Sequence, residues 1–138
     1  MPQIARYDYL IVGGGIAGVT AAEAIRQRDQ SGSIAIISKE NYTLYSRVLL
    51  PHYVRGKIDR EKVFLRRDAD YVKKNIDLFL GVELLLINTA VREVRLSDQR
   101  TVQYGKLLIA TGGTPVRWRI VGEDIDRILR LQTIDDAD

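Results

Sequence analysis

The sequence predicts an α/β fold in which helices cover a central parallel β-sheet. Two short apolar runs, Tyr9–Val12 and Ile34–Ile37, enclose a glycine-rich turn and a segment of helical periodicity. Strands that alternate with a helix in this way are typical of a parallel sheet. Three further short runs with polar turns, between residues 83 and 104, predict an inserted antiparallel three-stranded β-meander.

The composition is that of one globular domain. The chain has 138 residues, of which 46% are hydrophobic and 28% are charged, so one substantial core can form. The formal net charge is +3 at pH 7, with Lys and Arg residues scattered along the chain. This mild excess, without interleaved aromatic residues, predicts no nucleic-acid binding.

Several residue types are scarce or missing. The chain has no cysteine, which excludes disulfides, thiolate metal ligands and a cysteine nucleophile within it. Its one histidine, His52, cannot form a histidine-based metal site alone. No apolar run reaches the ~18 residues that a membrane span needs, and the N-terminus lacks a signal-peptide pattern. These absences predict no metal site, no membrane association and a cytoplasmic protein.

The turn after the first apolar run has the glycine pattern G-x-G-x-x-G. Gly13 permits the tight turn, Gly15 lets a pyrophosphate approach the backbone, and Gly18 lets the helix pack closely on the strand. Ile16 and Ala17 begin the helix, whose unpaired N–H groups and positive dipole end face the phosphates. The turn therefore predicts a dinucleotide site, although NAD and FAD fit it equally.

A carboxylate follows the second apolar run at a suitable distance. Glu40 lies 22 residues after Gly18, about where an acidic side chain accepts a hydrogen bond from a ribose hydroxyl. The glycine spacing, the helix, the second apolar run and the acid therefore all predict the same dinucleotide site.

The remaining elements are predicted from shorter patterns. The first helix is amphipathic and carries Arg26 on its solvent face. Residues before Tyr7 form a tail, 116–138 form a connector without a closing element, and Trp118 is a packing residue. The other predicted elements are short helices at Arg47–Val54 and Asp59–Asn75, strands at Ile76–Leu80, Glu83–Ile87, Ala90–Arg95 and Thr101–Tyr104, and a fully buried strand at Lys106–Ala110.

Four motifs occur in order along the chain: Gly-Gly-Gly-Ile-Ala-Gly at 13–18, Tyr-Ser-Arg at 45–47 followed by Val-Leu-Leu-Pro, Val-Gln-Tyr-Gly-Lys-Leu-Leu-Ile-Ala-Thr-Gly-Gly-Thr-Pro at 102–115, and Arg-Leu-Gln-Thr-Ile-Asp-Asp-Ala-Asp at 130–138. Together they resemble the N-terminal part of FAD-dependent pyridine nucleotide oxidoreductases. The branch they resemble contains the ferredoxin and rubredoxin reductases and the NADH-dependent nitrite reductase large subunit. The resemblance covers essentially the whole chain.

The resemblance implies a Rossmann-like FAD/NAD(P)-binding fold whose first unit binds the ADP half of FAD. The three glycines then hold the pyrophosphate and Glu40 the adenosine ribose. Lys39 stands where some relatives have a carboxylate, so the ribose contact falls on Ser38, Lys39 or Glu40. Arg47 resembles an arginine that reaches the FAD phosphates, and its alternative is a solvent-exposed loop residue.

The resemblance also implies contacts with adenine and with the flavin. Leu84 stands where the family holds adenine through main-chain groups, and core packing is an equal interpretation of it. Ala110, Thr111 and Gly112 resemble the segment that passes close to the flavin. Many relatives have a lysine in the stretch that His52 occupies. His52 is either a proton shuttle near the flavin or an ordinary surface or packing residue. No residue is predicted to be catalytic.

The resemblance predicts an incomplete domain. Residues 1–115 would form the N-terminal portion of the FAD-binding domain, and 116–138 would lead towards a missing NAD(P)-binding domain. The full-length protein would pass electrons from NAD(P)H through FAD to a protein or small-molecule acceptor. The 138-residue chain alone would lack turnover, and its uncovered strand edges would favour homo-oligomers.

Two alternatives remain at this point. The chain could be a stand-alone module or subunit that binds FAD, ADP or NAD without redox turnover of its own. It could also be an NAD-dependent dehydrogenase domain, because the glycine turn and the ribose acid serve NAD equally.

Overall fold

The computed structural model of the chain describes residues 4–116 and 129–138. In these ranges it contains strands β1 (Ala5–Val12), β2 (Ile34–Ile37), β3 (Ile76–Phe79), β4 (Leu84–Asn88), β5 (Glu93–Leu96) and β6 (Thr101–Ile109), and helices α1 (Ile16–Arg28), α2 (Leu50–Val54), α3 (Asp68–Lys73) and α4 (Ile134–Ala137). Contacts divide the chain into two compact units. The first comprises the described residues up to Leu44 and Arg66–Gly112, and the second comprises Tyr45–Leu65 and those from Gly113 onward. Trp118 and most of the predicted connector lie outside the described residues.

The first unit is built on one six-stranded sheet with the order β3-β2-β1-β6-β5-β4. Strands β3, β2, β1 and β6 are parallel, whereas β5 is antiparallel to both β4 and β6. The chain leaves β1 towards β2 on one side and returns as β6 on the other. The strand order therefore reverses at β1, and the crevice beyond the carboxyl ends of β1 and β6 is where such sheets bind ligands. The predicted parallel sheet with an antiparallel meander is confirmed.

Helix α1 covers one face of the sheet. Its residues Val19 and Ala22 are buried against Ile11 and Ile36 of the strands. Arg26 was predicted to face solvent, but only 8% of it is exposed. Its guanidinium donates hydrogen bonds to the carbonyl oxygens of Asp29, Lys74 and Asn75. An arginine satisfied by carbonyl oxygens can replace an apolar residue at such a position.

The meander packs on the opposite face through a second apolar cluster. That cluster joins parallel-strand residues to meander residues: Leu10, Val12, Ala35, Ile37, Val82, Val94, Leu96, Val102 and Tyr104. The Arg100 guanidinium lies 4.5 Å from the centre of the Phe79 ring, and the Tyr7 hydroxyl donates a 2.6 Å hydrogen bond to Asp77. Burial and that hydrogen bond raise the pKa of Tyr7.

Three strand predictions need correction. Strand β1 begins at Ala5, because residues 5–7 pair with β6. The expected break at Gly105 is absent, and β6 is continuous from Thr101 to Ile109. The Lys106–Ala110 strand was predicted to be fully buried, yet Leu108 and Ile109 are exposed.

The second unit has its own small core. Leu50, Val63 and Ile134 are each at most 1% exposed. The Tyr45 hydroxyl accepts a hydrogen bond from the Ile134 amide, and Thr133 caps α4 by accepting one from the Asp136 amide. Helix α4 was missed in the predicted connector, whereas the short helices predicted at 47–54 and 59–75 are confirmed.

An ion cluster in the first unit ties α1 to the segment around α3. The Glu23 carboxylate is 2.8 Å from both Arg66 Nε and Lys74 Nζ, and only 18% of its side chain is exposed. Hydrogen bonds from Arg66 and then Lys74 lower the pKa of Glu23 to about 2. The carboxylate is therefore stabilised in its charged form.

We expect Glu23→Gln to lower the free energy of unfolding by about 1–2 kcal/mol at pH 7. Because the folded-state pKa lies below the ordinary value, the stabilisation is present above about pH 4.5 and is lost as the pH falls through about 2. Urea unfolding of wild type and variant at several pH values measures this convergence. Glu61→Gln, at an exposed acid, is the matched control and should change stability by less than about 0.5 kcal/mol. A constant difference across the pH range would contradict the assigned role of Glu23.

Candidate functional site

The predicted glycine turn lies where three parallel strands end side by side. The Gly13 amide donates a 2.8 Å hydrogen bond to the Ile37 carbonyl oxygen, and the Ala110 amide donates a 2.7 Å bond to that of Val12. The structure therefore brings together Gly13, Ser38 and Ala110, the residues that directly follow β1, β2 and β6. This edge is the crevice at which the strand order reverses.

Two glycines in the turn are required by backbone contacts. Gly13 has φ +121°, and a Cβ there would collide with the Ala110 carbonyl group. A Cβ on Gly18 would collide with the Gly13 carbonyl oxygen and would lie 3.2 Å from Ile11 Cγ2. Only glycine fits these two positions. It has no Cβ that would collide, and at position 13 it can also adopt the positive φ. These contacts fix the start of α1 against the ends of β1 and β6.

Gly15 differs from these two glycines because space lies in front of it. A Cβ there would meet nothing within 4 Å. Gly15 is the N-cap of α1, with no side-chain capping hydrogen bond and no acidic residue in the first turn. Ile16 and Ala17 follow as exposed residues. The first N–H groups of α1 and its positive dipole end are thus available to an anion.

The segment after β2 runs beside the segment after β3. Ser38 is buried, its amide donates a 2.8 Å hydrogen bond to the Phe79 carbonyl oxygen, and its carbonyl oxygen accepts a 2.9 Å bond from Val82. The Glu40 carbonyl oxygen accepts from the Gly81 amide at 3.2 Å. Ser38, Lys39 and Glu40, the three predicted ribose contacts, therefore occupy a fixed backbone segment.

Lys39 makes a side-chain contact that the sequence did not predict. Its Nζ atom is 3.0 Å from Oε1 of Glu83, and their side chains are 75% and 51% exposed. The ion pair connects the segment after β2 to the segment after β3. A signal for this contact was Gly81, which follows β3 and lies in the turn that leads to Glu83.

Leu84, predicted to hold adenine, begins β4 and pairs with Leu96. Its partly buried side chain packs against the meander-side core. Val82, two residues earlier, makes the backbone hydrogen bond to Ser38. The adenine contact of Leu84 stays a prediction.

Ala110, Thr111 and Gly112 leave β6 at the same edge. Thr111 and Gly112 are exposed, and Gly112 has φ +73°. That backbone conformation favours glycine, and the absence of a Cβ leaves room for a planar group against the chain.

Arg47 and His52 belong to the second unit. Arg47 is exposed and begins a short 3₁₀ helix that ends at Leu49. Hydrogen bonds from the Thr133 and Gln132 amides lower the pKa of Asp136, and the positive charge of Arg47 adds to this shift. His52 is exposed on α2. The phosphate contact of Arg47 and the proton shuttle at His52 stay predictions.

Residues 4–116 and 129–138 hold no group of three or more side chains that could bind a metal ion. In the same ranges, no helix is both long and apolar enough to cross a membrane.

Residues 7–138 match the family model described as pyridine nucleotide-disulphide oxidoreductase. The chain belongs to this family. Members of this family are FAD-dependent and use NAD(P)H.

Two sequence relatives and one solved structure illustrate what the chain is similar to. The chain is 34% identical to the NADH-dependent phenylglyoxylate dehydrogenase subunit epsilon of Aromatoleum evansii, over 94% of the chain and 31% of that protein. It is 30% identical to the rubredoxin-NAD(+) reductase of Pseudomonas putida, over 93% of the chain and 34% of that protein. The NADH:rubredoxin oxidoreductase structure from Clostridium acetobutylicum superposes with a TM-score of 0.85 at 26% identity, over 96% of the chain and 34% of that structure. The chain thus spans about a third of the length of these relatives.

The residues of the turn fit the ADP half of FAD. Gly13 and Gly18 close the backbone around the helix start, whereas Gly15 leaves open space in front of it. A diphosphate needs both an unobstructed approach and N–H donors, and this turn supplies them.

We expect Gly18→Ala to lower the free energy of unfolding by at least about 2 kcal/mol, because its Cβ meets backbone atoms that cannot move aside. Thermal and urea denaturation measure the loss. Gly15→Ala is the matched control: its Cβ enters open space, so it should lose no more than about 1 kcal/mol from the weaker N-cap. Equal stabilities of Gly18→Ala and wild type would contradict the close contact between α1 and β1.

Proposed function

We propose that this chain is the FAD-binding portion of a flavoprotein oxidoreductase, which transfers electrons from NAD(P)H through FAD to a protein or small-molecule acceptor. The observation that carries the proposal is the turn at Gly13–Gly18, closed around the start of α1 but open in front of Gly15. Membership of the pyridine nucleotide-disulphide oxidoreductase family supports the choice of FAD. The names of two relatives, a rubredoxin-NAD(+) reductase and an NADH:rubredoxin oxidoreductase, support a small redox protein as acceptor.

Each part of the strand-end crevice has a distinct task in this proposal. The N–H groups at the start of α1 bind the pyrophosphate, with Gly15 leaving room for its approach. The segment Ser38–Glu40 binds the adenosine ribose. The backbone of Ala110–Gly112 lies along the flavin, and Leu84 contacts adenine through its main chain. The phosphate contact of Arg47 is proposed from its sequence motif alone.

The chemistry of this protein belongs to the cofactor. FAD, when bound, accepts hydride and passes on electrons, while the protein supplies position and electrostatics. We assign no catalytic acid, base or nucleophile to this chain. The chain alone therefore binds and orients FAD, and it lacks NAD(P)H turnover of its own.

A second candidate function is a nucleotide-binding module without redox turnover. The first unit supports this function, because the glycine turn and the segment Ser38–Glu40 both lie within that one compact unit. Such a module would bind ADP, NAD or FAD through the adenosine diphosphate part alone.

Other features of the whole protein also remain proposals. We infer cytoplasmic localisation, homo-oligomer formation, and a boundary between a domain at 1–115 and a connector at 116–138. The motifs and composition of the chain support them. Measurement of molar mass in solution tests the oligomeric state.

We expect purified protein to bind added FAD, with a shift of the visible flavin bands and quenching of flavin fluorescence. Gly15→Ala should weaken FAD and ADP binding at least about tenfold, because the new Cβ enters the space that the pyrophosphate needs. Optical titration with FAD and calorimetric titration with ADP provide the two affinities.

A matched control uses the same substitution at another open position. A Cβ on Gly113 also meets nothing within 4 Å, and Gly113→Ala should leave ADP affinity within about twofold of wild type, a change of ~0.4 kcal/mol. If ADP binds but FAD does not compete with it, the FAD assignment is wrong and a module that binds ADP or NAD is favoured. Equal ADP affinity in wild type and Gly15→Ala would remove the pyrophosphate from this turn.

A further inference from the structure

The residues after β2 combine a hydroxyl group, a cation and an acid at the segment proposed to bind adenosine ribose. The acidic residue that accepts a hydrogen bond from the ribose 2′-hydroxyl stands about 20 residues after the glycine pattern. Here Glu40, 22 residues after Gly18, has that position, and Ser38 and Lys39 come directly before it. A hydroxyl group and an ammonium group therefore stand between the end of β2 and the acid.

This pattern changes which ribose substituents the edge tolerates. A carboxylate directly after β2 would repel a phosphate on the 2′-oxygen, since both groups are anions. A serine hydroxyl can donate to a phosphate oxygen as readily as it accepts from a hydroxyl. A nearby cationic side chain is how related folds accommodate a 2′-phosphate.

The partner of Lys39 in the structure is weakly bound. The Lys39–Glu83 pair is 3.0 Å long, but 75% of the lysine side chain and 51% of the glutamate side chain are exposed. Exposed ion pairs contribute little free energy, because water competes for both charges. A phosphate with two negative charges can replace Glu83 at small cost, since Lys39 has a flexible four-carbon stem.

The backbone at this position is held in place independently of that ion pair. Ser38 is hydrogen-bonded through both its amide and its carbonyl group, and the Glu40 carbonyl oxygen accepts from Gly81. Exchange of the lysine partner therefore requires a change of side-chain rotamer only. The segment stays in position while Lys39 turns from one anion to another.

We propose that the adenosine end of this site accepts a ribose 2′-phosphate, which Lys39 binds after leaving Glu83. The proposal rests on the proposed function, because it takes Ser38–Glu40 as the ribose-binding segment. It follows that 2′-phosphorylated adenine nucleotides compete with the ADP half of FAD. Glu83 then sets the strength of that competition by holding Lys39.

Three nucleotides distinguish recognition of the 2′-phosphate from an effect of total ligand charge. They are AMP, adenosine 2′,5′-bisphosphate and adenosine 3′,5′-bisphosphate. NMR titrations of the 138-residue chain at low ionic strength give their dissociation constants. The 2′,5′-bisphosphate should bind about fivefold tighter than AMP, which corresponds to the ~1 kcal/mol of an exposed ion pair. It should also bind more tightly than the 3′,5′-bisphosphate, which has the same charge.

Two variants test the lysine and its partner. Lys39→Gln should abolish the preference for the 2′,5′-bisphosphate over the 3′,5′-bisphosphate. Glu83→Gln should increase that preference about twofold to fivefold, because Lys39 no longer has a competing carboxylate. Both residues are exposed, and far-UV circular dichroism confirms that the variants are folded.

The results separate this inference from the proposal on which it rests. If AMP binds but the two bisphosphates bind equally, or if Lys39→Gln keeps the preference, the role of Lys39 is overturned while the nucleotide site stands. If none of the three nucleotides binds, the ribose-binding segment itself is wrong, and both proposals fall.

Discussion

The close contact of three backbone segments is the constraint on which the first unit depends. The start of α1 passes so near the end of β1 that Gly18 has no room for a Cβ, and the end of β6 approaches Gly13 equally closely. Larger residues would push α1 away from the sheet and would separate β1 from β6. The same contacts place the start of α1 at the crevice where the strand order reverses, with open space in front of Gly15. One arrangement therefore determines both the packing of α1 and the open space in front of its first residues.

The sequence predicted the elements whose signals are local. Strand β2 has the predicted limits and helix α1 has the predicted start, because an apolar run and a glycine turn mark them directly. The error at Gly105 has a physical reason. The sequence suggested a break there, whereas a Cβ on Gly105 would lie 2.7 Å from the Asp8 carbonyl oxygen, so glycine is needed for close packing of β6 on β1. Helix α4 was missed because it has only four residues, although Thr133 and Asp136 form a capping box.

The candidate site could be predicted in part for the same reason. The spacing of the glycines predicts an individual task for each, and the structure shows close backbone contacts at Gly13 and Gly18 and open space at Gly15. Contacts between backbone atoms leave no such signal. The hydrogen bond from Val82 to Ser38 could not be inferred from either residue type. The pairing of Lys39 with Glu83 was missed because 44 residues separate the two in sequence.

Strand β6 has a double role that bears on the dynamics of the first unit. Over most of its length it pairs with β1, and its first residues pair on the other edge with β5. Local opening that detaches β6 from β1 must therefore also disturb the meander, and it removes the support of the Ala110 segment. Proteins often open in smaller cooperative groups of elements, with different free energies for each group. Here the shared strand joins the meander and the strand-end crevice, so we expect the two to open as one group.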